Sequence, residues 1–137
     1  MMSLYQPGPP GLNDASSYQV SSKPFFKGNI IADNIVRVIE FPSVTNWIHI
    51  RNNAVSRTAD GPRISFSENG QDTNNYFVSV SSPSVQDTSP QVLYVKVTKL
   101  YYKSNSGGNQ SFDVVAGLTN IPTGSLANNW SGSVGVG

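Results

Sequence analysis

Short stretches of this chain alternate apolar and polar residues, and each such stretch predicts a β-strand with one face toward a core. Trp47–Arg51 sets Ile48 and Ile50 on one face and Trp47, His49 and Arg51 on the other. Arg63–Ser67 directs Ile64 and Phe66 inward, against Arg63, Ser65 and Ser67. Tyr76, Val78 and Val80 then share a face opposite Phe77, Ser79 and Ser81. Val92 to Lys103 is the longest extended run, with Leu93, Val95 and Val97 opposed by Tyr94, Lys96 and Thr98. A strand of that length is expected to bend or bulge near Lys99. Phe112 to Leu118 closes the series. Upstream, Phe25, Phe26, Ile30 and Ile31 lead into Ile35–Phe41, which is apolar on both faces apart from Arg37 and Glu40. Two-sided apolarity predicts a strand covered on its outer side as well, by the N-terminal residues or by a neighbouring subunit.

Between these runs lie turn-rich segments: Pro42-Ser43, Asn52 to Pro62, Ser67 to Asn75, Ser82 to Pro90, and Ser104 to Gln110 with Gly107-Gly108. Six or seven short strands with no helical period predict an all-β sandwich or barrel, best closed as two packed antiparallel sheets. Residues 1–22 hold Pro7, Pro9, Pro10, Gly8 and Gly11 without alternation, and read as an extended N-terminal arm. The domain proper runs over 23–122, and 123–137 forms an uncharged C-terminal tail. The stretch without charge begins at Thr119; within it Leu126 and Trp130 are apolar enough to favour packing.

Composition sharpens this picture. The chain has 137 residues, one domain's worth, enough to bury roughly two thirds of its unfolded surface. Fifteen valines against six leucines, and 34 serines and asparagines, suit pleated surfaces and turns better than helices. Charged residues make up 12% and the net charge is +1, which supplies no electrostatic reason to bind nucleic acid or an anionic membrane. Arg37, Arg51, Arg57 and Arg63 fall within one stretch, where a local basic patch competes with the commoner reading of scattered, solvated strand-end charges. The absence of cysteine excludes disulfides, thiolate zinc sites and a cysteine nucleophile. No basic and apolar leader pattern is evident in MMSLYQPGPPGLND, and no run is apolar enough for a spanning helix. Asn-x-Ser triplets at Asn109 and Asn129 read as chance.

Catalytic chemistry finds little support. His49 is the single histidine and has no G-x-S-x-G nucleophile elbow to serve. Glu68 and Asp72, with Glu40 and Asp113 elsewhere, are the candidates for a paired-carboxylate site of the glycosidase kind. The same loop, Glu68–Asn75 or "ENGQDTNN", offers oxygen ligands for calcium, but lacks the D-x-[DN]-x-[DN]-G order of an EF-hand. Asn69-Gly70 reads instead as a turn, since both residues tolerate positive φ. No phosphate-cradling motif is present. The residues imply no metal and no cofactor, and the chain reads as a protein other than an enzyme.

The segments "FPSVTNWIHIRNNA", "RISFSENG", "NNYFVSV", "VTKLYYKS" and "FDVVAGLTNIP" resemble the penton proteins of large icosahedral double-stranded DNA viruses, over about Phe25 to Pro122. The resemblance implies a single jelly roll, eight strands in two antiparallel four-stranded sheets, with five copies closing a ring at each fivefold vertex. It implies a structural protein of the virion, made in the host cytoplasm, whose partners are itself and neighbouring major and minor capsid proteins. Family catalytic residues are not implied. A ring of identical subunits needs a heterologous interface; Trp47, His49, Arg51 and Trp130 are its candidate residues, together with the Asn52–Pro62 and Ser82–Pro90 loops. The other readings are another minor virion protein, and a carbohydrate-binding jelly-roll module whose platform would draw on Trp47, Tyr76, Tyr101, Tyr102 and Trp130.

Overall fold

The structure, a computed structural model, describes residues 23–53, 60–80, 92–105 and 108–137. Eight strands run through them: β1 (Lys23–Ala32), β2 (Arg37–Glu40), β3 (Thr45–Asn52), β4 (Asp60–Ser65), β5 (Phe77–Val80), β6 (Val92–Leu93), β7 (Lys99–Lys103) and β8 (Gln110–Leu118). Among the described residues the helical elements are two 3-10 turns, Asn69–Gln71 and Thr123–Leu126. The strands form two antiparallel four-stranded sheets of order β1-β8-β3-β6 and β2-β7-β4-β5. First pairs with eighth, second with seventh, third with sixth and fourth with fifth. The protein is an all-β, jelly-roll-like sandwich.

Alternate residues of both sheets meet in one core. The first sheet contributes Ile30, Ile48, Ile50, Phe112, Val114, Ala116 and Leu118; the second contributes Ile39, Ile64, Leu100 and Tyr102. Two edge-to-face ring pairs tie the layers, Phe25 with Phe41 and Tyr102 with Phe112, each with centroids 5.1 Å apart. A satellite cluster of Val44, Ile121 and Leu126 carries the core into the C-terminal segment.

Several expectations change. The run from Val92 to Lys103 is not one bent strand: β6 belongs to the first sheet and β7 to the second, and residues 94–98 cross between them. Thr45 makes the crossing possible. Its hydroxyl accepts from Val97 N (3.0 Å) and donates to Val95 O (2.7 Å), and its amide donates to Val97 O (3.0 Å), so the crossing backbone is bonded without a ladder. Upstream, the expected strand Ile35–Phe41 shrinks to β2, while the aromatic stretch before it is a ten-residue strand. β1 is interrupted by a bulge between Lys27 and Ile30, where Asn29 takes φ 54°. Its amide donates to Asp113 Oδ1 at 2.7 Å, which pins the bulge to β8. β2 is an edge strand with Val38 exposed, and the N-terminal arm expected to cover it lies outside the described residues.

The C-terminal segment 123–137 is anchored at Leu126 and Asn129, which are buried, while most of its other residues are exposed. Asn129 is buried, with all five of its side-chain bonds made to residues of other elements: Oδ1 accepts from Thr98 N (2.6 Å), Thr98 Oγ1 (3.3 Å) and Lys99 N (3.3 Å), while Nδ2 donates to Phe66 O (2.6 Å) and Lys99 O (2.9 Å). Trp130 Nε1 donates to Lys96 O in the crossing segment. The arm 1–22 and the loop stretches 54–59 and 81–91 lie outside the described residues.

Candidate functional site

Two surfaces stand out, one on each sheet. On the first sheet, burial of Ile48 and Ile50 forces Trp47, His49 and Arg51 onto the outer face, as alternation predicts. Register then brings apolar residues beside them. Phe26 pairs with Val115, Val115 with His49, and His49 with Val92, so one row crosses all four strands. Pro24, Gly117 and Trp47 form the next row. Phe26 is 73% exposed, and Tyr94, two residues beyond Val92, is 81% exposed. Trp47, His49 and Val115 are half-buried by these neighbours. Alternation on β3 alone could not reveal this row, because Phe26, Val115 and Val92 join it only through pairing.

One end of that face is polar. Asp113 pairs with Arg51, accepts from Asn29 N, and accepts from Asn53 Nδ2 at 2.9 Å. The Asn29 amide first, then the Asn53 amide, hold its carboxyl below the usual carboxylate range; partial burial opposes them and Arg51 assists.

On the second sheet the outer face is partly roofed. Ser65 and Ser67, expected to face outward, are buried there. The loop after β4 folds back over them: Gln71 is buried, and its Nε2 donates to Arg63 O (3.3 Å), Ser65 Oγ (2.9 Å) and Tyr101 O (3.2 Å). Ser67 Oγ accepts from Gly70 N and donates to Val136 O at 2.7 Å, which joins the loop to the C-terminal segment. The turn works differently from its expected form. Asn69 and Gly70 are in a 3-10 turn, and the positive φ falls at Asn74 (62°). Glycine is needed at 70 for space, because a Cβ there would lie 2.7 Å from Val136 O and 2.9 Å from Asn75 O.

Between this loop and the C-terminal segment an open cleft of about 460 Å³ remains, with Glu68, Asp72, Lys99, Tyr101, Asn128 and Ser131 around it. Tyr101 and Glu68 also line a neighbouring concavity of about 410 Å³ beside Val38 and Arg37. Glu68 and Asp72 therefore come together, whereas Asp113 lies on the outer face of the opposite sheet and Glu40 on edge strand β2. Among the described residues no group of three or more His, Asp or Glu is placed to hold a metal ion. Arginines do not form one patch. Arg37 pairs with Asp33 at 2.6 Å, Arg51 faces out from the first sheet, and Arg63 lies 4.6 Å over the Tyr76 ring and donates to Asn105 Oδ1; Arg57 is outside the described residues.

Of the four candidate interface residues, the structure brings Trp47, His49 and Arg51 to one face and fixes Trp130 against the sheet-to-sheet crossing instead. Asn129 of the second Asn-x-Ser triplet is occupied by its internal bonds, while Asn109 is exposed. Compared with protein-family models, curated proteins and solved structures, the chain matches none.

Proposed function

We propose that the protein is a structural shell subunit that closes into a ring of five at an icosahedral fivefold vertex, with capsid proteins as its neighbours. The observation that carries this reading is the row Phe26–Val115–His49–Val92, three of its four members apolar, with Trp47 in the next row of the same outer face and the exposed Tyr94 two residues after Val92. A monomer gains nothing from leaving a phenylalanine and a tyrosine this exposed beside other apolar residues, and contiguous patches of that kind mark protein contacts. The jelly-roll-like sandwich supports it, because two bonded layers form a rigid block that can be tiled. The sequence resemblance to vertex capsomers points the same way.

In a ring, this face meets a different surface on the next copy. Aromatic residues in the middle of the patch are the expected anchors, with Arg51 and Asp113 at its rim. Sedimentation velocity and electron microscopy of the purified chain test the reading. Five-membered rings are expected, and the pair Phe26→Ser with Tyr94→Ser should return them to monomers of unchanged fold. A wild-type chain that stays monomeric at hundreds of micromolar, or rings of another order, refutes it.

A further inference from the structure

We propose that the cleft over the second sheet, beside Tyr101, binds a neutral saccharide. Tyr101 alternates with the buried Leu100 and Tyr102, so its side chain lies on the outer face, between the loop after β4 and the C-terminal segment. A half-buried tyrosine ring in a concavity offers an apolar plane with a polar edge, which suits the C–H face of a sugar ring flanked by its hydroxyls. Around it stand acceptors (Glu68, Asp72), a donor (Lys99) and groups that do both (Asn128, Ser131). A sugar hydroxyl also does both, so this mixture satisfies it where a purely donating or accepting wall would not.

Charge narrows the ligand class. Two carboxylates against one ammonium leave the lining of this cleft at −1, and the Arg37 guanidinium of the neighbouring concavity is already paired with Asp33, which disfavours phosphates, nucleotides and acidic peptides. Apolar ligands are disfavoured because they would strip water from these groups without replacing its bonds. Length is available too. Glu68 and Tyr101 line both this cleft and its 410 Å³ neighbour, so a second concavity adjoins the first and offers a place for a further sugar unit.

The walls are built in advance. Asn129 ties the C-terminal segment to β7 and to Phe66 by five bonds, and Gln71 fixes the loop to Arg63, Ser65 and Tyr101. Ordering costs are thus met on folding, which favours a shallow site for a polar ligand. The inference is independent of ring formation.

The test is NMR titration of the isotope-labelled chain with cellotriose, maltotriose, lactose and tri-N-acetylchitotriose, each to 20 mM, and with trilysine as the charged control. At least one is expected to give saturable shifts confined to amides of residues 68–72, 99–101 and 128–131. Tyr101→Ala should weaken that binding at least tenfold and Asp72→Asn at least threefold, while Tyr101→Phe, which keeps the ring plane, should lose less than threefold. Asp72 is exposed, so its variant reports on binding even if Tyr101→Ala fails to fold. No saturable shift from any of the four sugars overturns the proposal. So does binding that survives both Tyr101→Ala and Asp72→Asn, or saturation only by trilysine and its loss at 150 mM salt.

Discussion

Asn129 and Thr98 are joined twice, backbone N–H to Oδ1 at 2.6 Å and hydroxyl to the same oxygen at 3.3 Å, with both residues buried. This contact fixes the C-terminal segment to the start of β7. Asparagine suits the position on a second count, since φ there is 51° and asparagine visits that region more readily than most residues.

Removing that side chain should therefore be costly. Asn129→Ala leaves Thr98 N, Phe66 O and Lys99 O short of partners in a buried setting, and each such loss costs about 1–3 kcal/mol before relaxation. A net loss of about 3 kcal/mol is expected in urea unfolding, with the slope unchanged. Asn129→Asp keeps the acceptor oxygen but faces two carbonyls with a second one, and should fall close to the alanine variant. A loss below about 1 kcal/mol for alanine would mean the segment contributes little to the fold.

Gly70 and Gly124 form a matched pair of opposite sign. A methyl at 70 meets two backbone oxygens closer than 3 Å, and backbone yields poorly, so Gly70→Ala should cost about 1–3 kcal/mol. At Gly124 nothing lies within 4 Å, and alanine should be neutral or gain about 0.4–1 kcal/mol through the unfolded chain. Thermal melts of both variants, run side by side, check the pair.

Periodicity made the cores of β3 and β4 legible, since Ile48, Ile50 and Ile64 are buried where alternation put them, and the last strand was legible as a span, Phe112 to Leu118. The split of Val92–Lys103 was hidden, because alternation continues across the crossing and only Thr45, fifty residues away, reveals which backbone groups leave the ladder. Ser65 and Ser67 misled for a related reason. A polar residue facing away from the core looks solvated in sequence, yet here Ser65 Oγ donates to Ser67 O and accepts from Gln71 Nε2 beneath a folded-back loop. The row Phe26–Val115–His49–Val92 was equally silent, since it exists only once four strands are in register.

Acid should loosen the first sheet through Asp113. Its folded pKa lies below the unfolded value of about 3.9. The carboxylate's stabilisation is then complete above that pH and fades as pH falls through the folded value, where the unfolded chain binds the extra proton. Asp113→Asn removes this dependence. The gap in urea midpoint between wild type and variant should correspond to about 1 kcal/mol at pH 7, the low end for charge-assisted bonds because the group is partly solvated. It should shrink steadily below pH 4. A gap that is constant from pH 7 to pH 2.5 would remove the carboxylate from the account.

Self-association through the apolar row carries its own thermodynamic signature. Burying Phe26, Val115, Val92 and Tyr94 takes apolar surface from water, so the association heat capacity should be negative. Charges lie at one end of the face, with Arg51 already paired in register with Asp113, and screening has little there to weaken. Raising sodium chloride from 50 to 500 mM should therefore change the dissociation constant by less than threefold. The single variant Phe26→Ser should weaken assembly by at least tenfold while moving unfolding stability by under about 0.5 kcal/mol, because a side chain 73% exposed contributes little to its own fold. Isothermal calorimetry of dilution at several temperatures measures the association quantities, and urea unfolding measures the stability of the variant. A heat capacity near zero combined with a steep salt dependence would shift the contact from this face to a charged one, and the placement of the ring interface on the first sheet would fall with it.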